Sequence, residues 1–179
     1  KTTLLLPLSP VLKINLEGND VLRHSLAETD LTQDFEWDKI AGLMDWTMQK
    51  ANGIGLAANQ VNVDIRMFVM YGKKTFINPR ITAFSEETQL LEEGCLSFPN
   101  LFFKLKRPKI IDVEWYDEKL EKRVDRFENM WAQCIQHEID HLDGKLFIDY
   151  ASKLKLDMAR KRQHKTNMEI MKKHDTSRR

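Results

Sequence analysis

Ile40, Leu43, Met44 and Thr47 recur at helical spacing after the polar and acidic run from Thr32 to Asp38, which predicts a first helix over roughly residues 36–51. Asn52-Gly53 supplies its stop. A glycine-containing loop leads to Arg66-Met67-Phe68-Val69-Met70-Tyr71 and, past a turn at Gly72, to Thr75-Phe76-Ile77, both rich in strand formers. From Lys109 to Tyr116, alternation puts Ile111, Val113 and Trp115 on one face. Asp117-Glu118-Lys119 then turns the chain into a second alternating run through Val124, completing a hairpin. Glu128 to Leu142 returns to a helical period and gathers Met130, Cys134, His137, Glu138 and His141 by three- and four-residue spacings. A last helix is expected from about Ser152 to Lys173, exposed over much of its surface because Lys and Arg outnumber apolar residues. Helix, several short strands, helix and helix is the order of an α+β fold rather than of alternating βαβ units. The expected architecture is short antiparallel strands packed around a central helix, with a C-terminal helix.

A chain of 179 residues with 42% apolar content is long enough for one domain with a sizeable core. Its net charge of +1 conceals an uneven distribution. Residues 152–179 carry ten Lys/Arg against three Asp/Glu, whereas residues 1–151 are acidic. We therefore read residues 1–151 as the body of the domain and residues 152–179 as its basic helical extension. Two cysteines, Cys95 and Cys134, are too few for a disulfide framework and suit a reducing compartment. The apolar stretch Leu4 to Leu6 before Pro7 is far shorter than a signal segment or a membrane span. A cytoplasmic protein without membrane contact is expected.

His137-Glu138-Ile139-Asp140-His141 places two imidazoles at i and i+4 on one helical face, with a carboxylate beside them that can reach a metal-bound water. The competing reading is a polar helix whose histidines face solvent. Two histidines leave a catalytic site one protein ligand short. Phe147 stands where the extended metalloprotease pattern would place a third histidine, and it cannot bind an ion. Glu169 lies downstream in basic, weakly amphipathic surroundings that give it no reason to fold back. Cys134 precedes His141 by seven positions, about 10 Å of helical rise, and is expected to pack behind the metal. Cys95, on a different element within Glu93-Gly94-Cys95-Leu96-Ser97, is taken as the thiolate ligand. A lone cysteine is more often a packed apolar residue, and only its neighbours shift that balance.

Those neighbours form a set. Gly53-Ile54-Gly55-Leu56-Ala57-Ala58-Asn59-Gln60, Glu93-Gly94-Cys95-Leu96-Ser97 and His137-Glu138-Ile139-Asp140-His141 resemble, in order, the three motifs of the peptide deformylases. The resemblance extends to Asp20-Val21-Leu22-Arg23 and to Gly144-Lys145-Leu146-Phe147-Ile148-Asp149-Tyr150. It implies removal of the formyl group from the N-terminal formylmethionine of new polypeptides, releasing formate. It implies one divalent metal on Cys95, His137 and His141, with iron(II) as the usual ion and zinc, nickel or cobalt as substitutes. Metal-bound water would attack the formyl carbon with Glu138 as general acid/base. The oxyanion donors would be the Leu96 backbone N–H and the Gln60 side-chain amide.

Matching positions make Ile54, Gly55, Gly94, Met130, Gln133 and Cys134 the substrate-binding set, with His137 also facing the methionine pocket. Gly53 and Gly55 also read as turn residues whose missing Cβ admits a peptide backbone. Gln133 departs from the apolar residue often found at its position, and Phe102 from an arginine in one branch of the family. Asp140 is expected to act behind the ligands or to balance charge locally. The basic extension reads either as a solvated face or, as the resemblance implies, as a contact for ribosomal RNA. On the second reading, removing residues after about 152 weakens ribosome association and spares hydrolysis. A protease of the His-Glu-x-x-His type and a noncatalytic metal-stabilised module are the remaining alternatives.

Overall fold

The computed structural model of the chain describes residues 11–33, 35–72 and 74–176; Leu4–Leu6 lie outside the described residues. The chain runs α1 (Trp37–Lys50), β1 (Gly55–Ala57), β2 (Met67–Met70), β3 (Lys74–Phe84), β4 (Thr88–Cys95), β5 (Phe98–Pro108), β6 (Ile110–Tyr116), β7 (Lys122–Glu128), α2 (Asn129–Leu142) and α3 (Lys153–Thr176). Antiparallel strands and three helices give the expected α+β class, although β3 and β5, at 11 residues each, are longer than the short strands expected.

α1 buries Trp37, Ile40, Ala41, Met44, Thr47 and Met48 along one stripe, as its period requires. Its stop is made by Asn52, which takes the left-handed conformation at φ 55°, and the Gly53 N–H then caps the Met48 carbonyl at 2.9 Å. Five strands form one sheet in the order β1-β2-β3-β6-β7. The β6–β7 hairpin pairs Val113 with Asp125 and runs on to Ile110 opposite Glu128, four residues past the expected end at Val124. Inside the sheet, Phe76 stacks on Phe68 at 4.5 Å between ring centroids and meets Trp115 at 4.6 Å.

The second sheet, β4 paired with β5, was not expected from the sequence. β5 turns Phe98, Leu101, Phe103 and Leu105 inward to a separate cluster with Leu22, Leu146, Phe147 and Ala159. α2 lies between the two sheets and buries ten of its 14 residues. Phe147, excluded above as a metal ligand, packs against Phe98, Phe103 and the ring of His137.

α3 packs on β5 through Leu156 and Ala159, and Gln163 donates to the Pro99 carbonyl at 2.7 Å. Truncation after residue 152 therefore removes part of the second cluster as well as the basic surface. A chain ending at residue 152 is expected to melt roughly 4–10 °C below one ending at Thr166, from about 2–3 kcal/mol of lost burial. Coincident thermal transitions would show that α3 adds nothing to the body. No helix among the described residues is long and apolar enough to cross a membrane.

Candidate metal centre

α2 sets His137 and His141 one turn apart, with ring centroids 4.8 Å from each other and planes at 75°. The last residue of β4 brings Cys95 to them from the second sheet, its Sγ 3.2 Å from His141 Nε2. One donor atom from each of the three residues lies within 4.8 Å of the others. Tetrahedral bonds of about 2.0–2.3 Å space neighbouring donors by roughly 3.5 Å, so the trio fits one ion after small adjustments. A sulfur and two imidazoles are donors for zinc or for iron(II), cobalt and nickel. Cys134 does not join them. It stands in the wall of an adjoining cavity rather than behind the ligands, with Sγ 3.8 Å from the Ile54 carbonyl, and burial pushes its thiol well up. Glu169 is exposed on α3 and lies outside the ligand group.

Behind the ligands runs a buried ionic chain. Glu93 Oε1 accepts from His137 Nδ1 at 2.7 Å, which fixes the ring and leaves its other nitrogen for the metal side. Arg107 donates to both Glu93 oxygens, at 2.7 and 2.8 Å, and reaches Asp140 Oδ2 at 2.8 Å. Tyr150 Oη donates to Asp140 Oδ1 at 2.9 Å. Asp140 thus neutralises Arg107 and touches no metal ligand through these bonds. Glu93 and Arg107 are each only 6% exposed. Losing one of two such charges leaves the other uncompensated, typically at a cost of about 3–5 kcal/mol. Burial opposes the Glu93 charge, but Arg107 and His137 hold its carboxyl far below the ordinary range. Burial would also push His137 down, yet Cys95 and Glu93 hold its imidazole well above the usual value. Burial and the neighbouring His137 charge hold His141 well below it. The arrangement favours positive charge on His137 and a neutral His141.

On the other side of the ligands a cavity of about 840 Å³ opens, and Ile54, Gly55, Gly94, Met130, Gln133 and Cys134 all line it. Leu96 and Gln60 border it beside Cys95. Gln60 is held in one orientation: its Oε1 accepts from the Ala57 N–H at 2.9 Å, while Nε2 faces Ser97 Oγ at 3.0 Å and Cys95 Sγ at 3.5 Å. Its donor therefore points to the ligand side. Glu138 is 3% exposed with Oε2 unpartnered, and burial pushes its carboxyl up to about 7. A Cβ at Gly55 would collide with this carboxylate and crowd Cys134 Sγ at 3.0 Å. The missing side chain at 55 is thus explained by Glu138 itself, a reason the sequence did not reveal. Neither Gly53 nor Gly55 has the positive φ of a turn glycine. Gly94 lies beneath the Phe102 ring, which is half exposed at the cavity rim. Among the described residues β1 is an edge strand of its sheet and β4 pairs only with β5, so each presents an unpaired edge there, and residues of both line the cavity.

Arg107, which anchors Glu93 behind the donor trio, is a residue that the sequence reading missed. It occupies the inward position after Leu101, Phe103 and Leu105 in the alternation of β5, so an unbroken period of two was the available signal.

Comparison with known proteins accords with this geometry. The family model for polypeptide deformylase matches residues 11–157. A peptide deformylase of Rhizobium meliloti is 44% identical over 139 residues, covering 73% of this chain and 80% of that protein. One from Rhizorhabdus wittichii is 38% identical over 167 residues, covering 86% and 94% respectively. The crystal structure of a Synechococcus elongatus peptide deformylase in complex with actinonin superposes with a TM-score of 0.80 at 33% identity, covering 88% of each chain. With its α+β body, its Cys-His-His donor set and a match over most of its length, the chain belongs to the polypeptide deformylase family.

Proposed function

We propose that this protein hydrolyses the formamide at the N-terminal formylmethionine of newly made polypeptides, releasing formate and a free amine. The observation that carries the reading is the juxtaposition of Cys95, His137 and His141 with a buried Glu138 beside a cavity bordered by two free strand edges. A divalent cation held by the three donors would lower the pKa of a water and polarise the formyl oxygen. Iron(II) is the ion assigned, with zinc, nickel and cobalt as substitutes that the same donors accept.

The chain's own residues divide the remaining work. Glu138 takes a proton from the attacking water and passes it to the departing amine, a task that suits a carboxyl raised by burial. The Gln60 amide, locked by Ala57, and the Leu96 N–H supply preset donors to the oxygen that gains charge. Ile54, Met130, Gln133, Cys134 and His137 receive the methionine side chain. The peptide backbone lies between the edges of β1 and β4, near Gly55 and Gly94, as an added strand. Beyond it, Phe102 offers an aromatic surface to later side chains. The basic outer face of α3, where Lys161 and Lys165 are exposed, is assigned to ribosomal RNA through salt-sensitive phosphate contacts.

The test is an anaerobic assay of protein loaded separately with iron(II), zinc, nickel or cobalt. Formate release from formyl-Met peptides, without cleavage of internal peptide bonds, is the expected result. Internal cleavage, or no formate with any of the four ions, rejects the reading.

A further inference from the structure

Gln133 stands one helical turn before His137 and is 5% exposed. Its Nε2 donates to Glu93 Oε2 at 2.8 Å. Glu93 then accepts four hydrogen bonds from three partners: two from Arg107, one from His137 and one from Gln133. An ionised carboxylate only accepts, so it orients the amide of Gln133 as well as the ring of His137. The consequence for Gln133 is costly. Its Oε1 is turned away, buried and without a partner, a situation that usually costs about 1–3 kcal/mol. Leucine or methionine would fill the same space without that cost. The gain must lie at the other end of the amide, where Nε2 also reaches the Leu91 carbonyl at 3.5 Å but makes its short bond to Glu93.

We propose that Gln133 is a positioning residue for the metal centre: its amide steadies Glu93, and Glu93 holds the His137 imidazole at the angle the ion needs. The inference rests on the metal-centre reading above. It assigns two opposed effects to one side chain, since the amide makes the cavity less suited to an apolar side chain while it strengthens the centre beside it.

Gln133→Met and Gln133→Leu separate these effects. Release of zinc to a chromophoric chelator, measured without any peptide, is expected to be about 10-fold faster in both, the lower end of what a lost partner behind a ligand costs. KM for a formyl-Met peptide should stay level or fall while kcat falls. Met130→Ala, which trims the same cavity and makes none of the bonds to Glu93, should move KM and leave zinc release unchanged. Wild-type zinc release in both Gln133 variants overturns the proposal whatever the formyl assay shows. A measurement on the wild-type protein guards against variants that fail to fold. In NMR spectra one Gln133 side-chain amide proton should lie downfield and exchange slowly. A freely exchanging pair would equally sink the idea.

Discussion

Replacing Glu138 by Gln is expected to lower kcat by about 10²–10⁴-fold while the protein keeps its metal, because that is the usual contribution of one positioned acid/base. The substitution keeps the side chain's size beside Gly55 and removes only its proton chemistry. Metal analysis and formate release on the same sample check it, and turnover within a few fold of wild type would remove Glu138 from its role. The pH dependence follows from burial. In the metal-free protein the carboxyl is held near 7, and a neighbouring cation lowers it, so the acid limb of kcat/KM should fall below 7 and disappear in the variant. Stability gives the opposite sign. A carboxyl raised from 4.5 to about 7 in the folded protein binds its proton more tightly there than in the unfolded chain. The contribution of Glu138 to the stability of the metal-free wild type should therefore be lost as pH rises from about 4.5 through 7, by on the order of 3 kcal/mol. Glu138→Gln should not show that loss in thermal melts.

Cys95→Ala is expected to weaken metal binding by more than about 100-fold, beyond the range seen when an outer partner of a ligand is lost, and formate release should vanish with the metal. Cys134→Ala is the matched comparison. It removes the other thiol, which lies outside the donor trio, and should retain the metal while loosening the cavity. Metal content at wild-type level in the Cys95 variant would refute the ligand assignment. Retention in one variant and loss in the other would also separate this centre from proteases that complete two helical histidines with a carboxylate.

The helices were legible because each buries a periodic stripe or, in α3, carries a long charge run. The β6–β7 hairpin was legible through Ile111, Val113 and Trp115 alternating before a polar turn. β4 was not, because Thr88–Cys95 carries few apolar residues and the one residue it buries is Glu93. In β5 the alternation from Leu101 to Leu105 ends on Arg107, and a buried arginine reads as surface until its partner Glu93 is known. The same limit applies to the site. His137, Glu138 and His141 were fixed by local spacing. Cys95 lies 46 residues from His141, so no helical geometry could select it, and the resemblance to a family did. Gln133 was visible only as a departure from an apolar position. Its bond to Glu93 needed the fold.

α2 carries both imidazoles, the carboxylate proposed as acid/base, the amide bonded to Glu93 and the aspartate that balances Arg107, on a helix buried along most of its length. Any fluctuation large enough to expose α2 would free the ion and open the core together, so the lifetime of the loaded centre is bounded by that of the folded helix. Cys95 arrives from the other sheet, so an ion held by these three donors would crosslink the two sheets as well as serve the proposed chemistry.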